Sequence, residues 1–150
     1  MNIRILKTLS SFFLFIFLSN ELLADQGISS DQILIGMHTD ISGPASMIGK
    51  QSVDGANMRF NEFNENGGAF GRTIKLIVED HQYTVPRAVQ AANKLLRKDK
   101  VAFMMGSLGT PMNNAVMTDQ LAMNVTNLFP LTAERSMCDP IDRLEHTHWS

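Results

Sequence analysis

One cysteine, Cys138, stands in the 150 residues, so no disulfide can form within the chain and no Cys-x-x-Cys pair is present to hold a structural zinc. Basic charge is not in excess: 13 lysines and arginines face 15 acidic residues, which excludes the electrostatic footprint of a nucleic-acid partner. Neither Gly-x-Gly-x-x-Gly nor Gly-x-x-x-x-Gly-Lys occurs, so no nucleotide-phosphate loop is expected and no cofactor is implied. The run Met105-Gly106-Ser107-Leu108-Gly109 lacks the Gly-x-Ser-x-Gly spacing of a hydrolase elbow, and no nucleophile stands beside a base; an enzyme is not expected. The only long apolar run, Leu9 to Leu18, is shorter than the roughly 20 residues a spanning helix needs.

That run follows Arg4 and Lys7 and leads into a more polar tail, Asn20 to Ala24, ending in a small residue. This is the layout of a secretory signal peptide over residues 1–24, with cleavage expected after Ala24 and Leu22 acceptable at the third position before the cut. No cysteine lies at the cleavage point, so no lipid anchor is expected. Residues 25–150 then carry 11 basic and 14 acidic side chains, a net charge of −3, on a length that can bury one core without an internal linker.

Four short apolar runs alternate with helical patterns. Gln32 to His38 reads as a first, central strand. From about Gly49, Val53, Ala56, Phe60 and Phe63 recur at helical spacing, and Asn66-Gly67-Gly68 forms a left-handed stop. Thr73 to Glu79 alternates Ile74, Leu76 and Val78 with Lys75, Ile77 and Glu79, as a strand near a sheet edge would. Thr84 and Pro86 open a second helix through about Arg97, with Ala88, Ala91, Ala92, Leu95 and Leu96 inward. Val101 to Met105 is a buried strand that empties into Gly106 to Thr110, where Thr110 is placed to cap a third helix from Pro111 to about Ala122. A fourth strand near Asn124 to Phe129 leads into Pro130 to Glu134. The alternation predicts an α/β fold with a doubly wound parallel sheet.

In such sheets ligands bind beyond the carboxyl ends of the strands. Those four loops hold Ser42, Gly43 and Ser46, then Asp80 and Thr84, then Ser107, Gly109 and Thr110, then Thr132. A helix start after the third strand offers free amides and partial positive charge to a carboxylate or phosphate. Asp40 and Asp80 each follow a strand and are weighed as a divalent-cation pair, but the third strand has no acid after it, and loop or capping roles are the plainer reading. His38 and His81 read as strand-end histidines rather than bases, His146 and His148 make a weak pair of metal ligands, and Met104, Met105, Met112 and Met117 read as core filling. What remains is binding, outside the cytoplasm, of a small anionic or zwitterionic ligand.

The residues that carry a resemblance are Ile35-Gly36, Ile41-Ser42-Gly43-Pro44, Gly49, Gly55, the run Phe63 to Arg72, Leu76 to Asp80, Pro86, Ala91 to Leu96 and Val101 to Gly106. Together they resemble the branched-chain amino-acid binding proteins of bacterial ABC importers, across essentially all of the chain after the signal. The resemblance implies a type I periplasmic binding fold whose two lobes close over a ligand and deliver it to an inner-membrane permease, with this chain holding the Rossmann-like first lobe and the second lobe missing. It implies that the loop after the third strand reaches the ligand carboxylate through Leu108 and Thr110, and the loop after the fourth through Leu131, Thr132 and Ala133. It implies further that Ser42 and Gly43 line the pocket and that Ile48 stands at a position often aromatic in the family. Pro111, Met112 and Asn113 replace a hydroxyl-rich run, which leaves fewer carboxylate donors. Transport of an amino acid or related small carboxylate is the expected role; a sensor of the same fold, binding an amide, urea or aromatic acid, is the alternative. A lobe without its returning segment is expected to expose a sheet edge and apolar surface.

Overall fold

A computed structural model describes residues 26–133; the expected signal peptide, Cys138, His146 and His148 lie outside the described residues. β1 (Gln32–Thr39) leads through a short loop to α1 (Ser46–Glu65), then β2 (Thr73–Asp80) and α2 (Val85–Asn93), whose last turn widens into a π-type turn over Lys94–Lys98. β3 (Phe103–Met105), α3 (Thr110–Ala122) and β4 (Asn127–Leu128) complete the order. The strands form one parallel sheet in the order β2-β1-β3-β4, so β1 is central and β2 lies at an edge, as the patterning predicts.

Pairing tapers across the sheet. β1 and β2 run in register over all eight residues, from Gln32 opposite Thr73 to Thr39 opposite Asp80. β3 meets β1 only at Ile35–Phe103 and Gly36–Met104, and β4 meets β3 at Met104–Asn127 and Met105–Leu128. The expected strand over Val101 to Met105 is therefore shorter in its ladder. Val101 is fully buried, but its N–H returns to the Leu95 carbonyl, closing the wide turn, and only at Ala102, bonded to Leu34, does the chain align with β1. The fourth strand shrinks likewise, because Asn124 and Phe129 both take positive φ and turn the chain out of the sheet.

Stepping from β1 to β2 runs one way across the sheet and stepping on to β3 and β4 runs the other. Right-handed crossovers then put α1 on one face and α2 with α3 on the opposite face, where those two helices touch. The core sits on the two-helix face: Ala92, Leu95, Leu96, Val101, Met104, Val116 and Val125 form one cluster, with Leu34, Ile77, Val89 and Met123 against it. The single-helix face is thinner. Val53, Ala56, Phe60 and Phe63 turn inward as expected but are only half-buried, and Gly49 is the one buried residue of α1. Phe129, Met47 and Met58 stay more than two-thirds exposed.

Candidate functional site

The carboxyl ends of all four strands come to one rim, and the described loops there fall into two clusters. In the first, Asp40 follows β1 and is fully buried; its carboxylate accepts the N–H groups of Gly43 and Ala45, which folds the β1–α1 loop back on itself. Asp80, at the end of β2, accepts from the Ser42 hydroxyl and from the N–H groups of Ile41 and Gln82. Burial pushes the Asp80 carboxyl up, and these donors more than offset it, leaving the group below the usual carboxylate range. Gly43 is required by space, because a Cβ would meet the Asp40 carboxylate and the Gln82 carbonyl at 2.8 Å. Both acids are thus occupied in tying loops, and among the described residues no three metal-ligating side chains come together. Ser42 and Gly43 lie on the rim with their polar groups already partnered, while Ile48, in the first turn of α1, is half exposed with a free apolar side chain.

The second cluster joins the loop after β3 to the loop after β4. Leu108 bridges in parallel to Leu131; the Leu131 N–H donates to the Ser107 carbonyl and the Gly109 N–H to the Leu131 carbonyl, each at 2.9 Å. Below them Asn113 donates to the carbonyls of Ser107 and Gly109, and Asn127 donates to the Asn113 side chain at 3.0 Å. This buried amide relay, invisible in the sequence as a motif, fixes the loop from the core side. In the sequence Asn113 reads only as a lost hydroxyl; its pairing with a strand residue 14 positions on leaves no local pattern.

Thr110 is not the cap the sequence predicts. Gly109, at φ 99°, occupies the cap, and Thr110 is the first helical residue with Pro111 behind it. A glycine can adopt that backbone where a threonine is strained, so the cap passes one residue back. The Thr110 hydroxyl is released to the rim. Its oxygen accepts from the Thr132 hydroxyl and from the Ala133 N–H, both at 3.0 Å. With both lone pairs taken, its one proton is free to be donated outward. The first-turn amides of Thr110 and Met112 have no carbonyl partner inside α3, and Pro111 has no N–H; Met112 is buried, so the Thr110 amide is the one that the helix start offers at the rim.

The remaining expected residues support rather than face outward through their main chain. The Leu108 N–H donates to the His38 carbonyl, its carbonyl accepts from His81, and its side chain is buried. Leu131 has both backbone groups bonded but leaves its side chain partly exposed, and the Ala133 N–H is taken by Thr110. Thr110, Thr132, Ala133, Leu108 and Leu131 therefore form one joined structure, and Ser42 and Gly43 belong to the neighbouring loop. The histidines, taken as ordinary strand ends, prove to be buried between the clusters, with ring centres 5.5 Å apart. Burial, and then its neighbour His81, hold the His38 ring neutral down to about 3. Thr110, Leu131 and Thr132 are partly exposed on the rim; one recess, by Asp80, Arg87 and Lys94, lies beside its β2 end, and another, by Gln26, Gln32 and Lys75, lies away from it.

A parallel doubly wound lobe with hydroxyls and a helix start on its carboxyl rim defines the class by its fold: an α/β lobe that matches those of type I periplasmic binding proteins. The family model described as periplasmic binding protein matches residues 32–140, and the chain belongs to that family. It is 31% identical over 84 residues to the Leu/Ile/Val-binding protein BraC3 of Rhizobium johnstonii, an overlap covering 56% of this chain and 23% of that protein. The fold is similar to that of the branched-chain amino-acid substrate-binding protein LivJ from Streptococcus pneumoniae in complex with isoleucine, with a TM-score of 0.65 and 22% identity over 69% of this chain and 30% of that one. It is similar also to a fatty acid ABC transporter substrate-binding protein from Thermomonospora curvata, with a TM-score of 0.63 and 27% identity over 71% of this chain and 27% of that one. The chain thus spans less than a third of the length of each of these relatives.

Proposed function

We propose that this chain supplies the first lobe of the solute-binding component of an ABC importer, that it captures an amino acid or related small carboxylate, and that it works in the periplasm with an inner-membrane permease. The observation that carries the reading is the Thr110 hydroxyl, with both lone pairs occupied by Thr132 and Ala133, standing at the start of α3. A carboxylate resting there takes a hydroxyl donor, the Thr110 main-chain donor and the partial positive charge of the helix start. Leu131, Ile48 and Tyr83, all partly exposed on the same rim, offer apolar surface to the rest of the ligand. Relatives named for leucine, isoleucine and valine and for fatty acids share a carboxylate and differ in the tail, which supports the head group as what this lobe reads. The Streptococcus pneumoniae and Thermomonospora curvata proteins are named as substrate-binding proteins of transporters, and binding without a reaction is the matching role here.

The test is thermal unfolding of the chain alone and with L-leucine, benzoate or hexanoate. A ligand that binds only the folded state at a hundredfold excess over its Kd adds about 2.7 kcal/mol, which raises Tm by several degrees at this size. A rise with at least one of these carboxylates supports the reading; an unchanged Tm with all three removes it.

A further inference from the structure

His81 has no part in the ligand cradle, yet it is fully buried and both of its ring nitrogens are engaged. Nδ1 accepts the N–H of Tyr83 at 3.0 Å, which fixes the proton on Nε2, and Nε2–H donates to the Leu108 carbonyl at 3.0 Å. The Nε2 bond ties the loop after β2 to the loop after β3, and the Nδ1 bond seats Tyr83 within its own loop, whose turn Thr84 also closes by donating its N–H and hydroxyl to the His81 carbonyl. On its Nδ1 side it holds a turn in which Gln82 and Tyr83, neither of them glycine, both take positive φ, 50° and 55°. Such a turn persists only while its surroundings enforce it. The Tyr83 ring is seated so close to Gly109 that a Cβ there would meet it at 3.3 Å, next to Thr110. On its Nε2 side the same ring holds the carbonyl two residues before Thr110.

We propose that His81 is a positioning residue of the binding rim: neutral, it latches the Tyr83 turn against the Gly109–Thr110 loop, and protonated, it releases that latch. Protonation adds a hydrogen to Nδ1, which then faces the Tyr83 N–H donor to donor, so Tyr83 is released while the Nε2–H bond to Leu108 and the two Thr84 bonds to the His81 carbonyl stay. The groups around the ring are His38 from β1, Asp40 from the loop after it, Asp80 from β2 and the edge of Tyr83 at 6.4 Å; Gly106 to Asn113 carry no ionisable side chain. Burial, opposed by the Leu108 carbonyl and the two aspartates, holds the ring neutral below its ordinary range, so release falls on the acid side of pH 6.5. The inference rests on reading Thr110 as ligand-facing only for its consequence in binding; the latch itself is tested without a ligand.

The experiment is NMR of the full chain from about pH 7.5 to 5, following the His81 ring nitrogens and the exchange protection of the Tyr83, Gly109 and Val101 amides. The expected result is an unprotonated Nδ1 at neutral pH and a protection factor at Tyr83 that falls by about tenfold per pH unit once the ring titrates, more steeply than at Val101 in the core. Two variants separate causes. His81→Asn keeps an acceptor near the Nδ1 position without titrating, so Tyr83 protection becomes flat with pH while Gly109 protection is lower throughout because the Leu108 tether is lost. His38→Met leaves the Tyr83 fall in place. A proton on Nδ1 at neutral pH, an unchanged pH response in His81→Asn, its loss in His38→Met, or a fall at Tyr83 no steeper than at Val101 would each overturn the proposal. Titration of the wild-type chain with L-leucine, benzoate and hexanoate at neutral pH reports on the ligand reading separately.

Discussion

At the scale of single residues, Thr110 carries the most. Thr110→Ala removes the acceptor of Thr132 and Ala133 and is expected to lower stability by about 1 kcal/mol, and to lose most of the Tm rise given by a bound carboxylate. Thr110→Ser keeps the oxygen and should retain both; paired melting curves check this. His38 governs acid stability instead. Its folded-state ring ionises at about 3 against about 6.5 when unfolded, so between those values only the unfolded chain takes the proton. Stability is whole above 6.5 and is lost as pH falls, by about 2 kcal/mol from pH 7 to pH 5 for this ring alone. Urea melts at the two pH values should show that loss in the wild type and a clearly smaller one in His38→Met.

Among the elements, the two faces of the sheet are unequal. Leu95 sits at zero exposure in the π-type turn after α2, in the middle of the core cluster, whereas Phe60 on α1 is half-buried. Leu95→Ala is expected to cost about 2–5 kcal/mol, and Phe60→Ala about 1.5 kcal/mol or less despite its larger side chain. Denaturant melts that rank the two the other way would contradict the layer assignment. The elements were also the most legible part of the chain. Apolar spacing marks β1, β2 and α1, because it reports burial along one element, and the helix-start signals at Thr84, Pro86 and Pro111 mark the other two helices. The short ladders of β3 and β4 were not legible, since positive φ at Asn124 and Phe129, and the Leu95–Val101 closure, depend on partners distant in sequence. The site divides the same way. Thr110 and Thr132 stand out as hydroxyls after strands; the cap passes to Gly109 through its positive φ, and the Asn113–Asn127 relay and the His81–Leu108 bond are contacts across 14 and 27 residues, with no local signal.

For the whole molecule, the parallel sheet gathers its loops at one end, and the pairing of the β3 and β4 loops turns scattered small residues into a cradle. The opposite wall of a closed site is supplied by a second lobe in the proposed function, so what this lobe can read by itself is the head group. That gives the central claim a direct test: amide NMR of the chain titrated with L-leucine, benzoate and hexanoate, each beside its primary amide, which lacks the charge. The expected result is that at least one carboxylate shifts the amides of Thr110, Met112, Thr132 and Ala133, and that its amide counterpart leaves them in place. Shifts confined to other parts of the chain, or equal shifts with the amides that lack a carboxylate, would contradict the assignment of this rim as a carboxylate cradle.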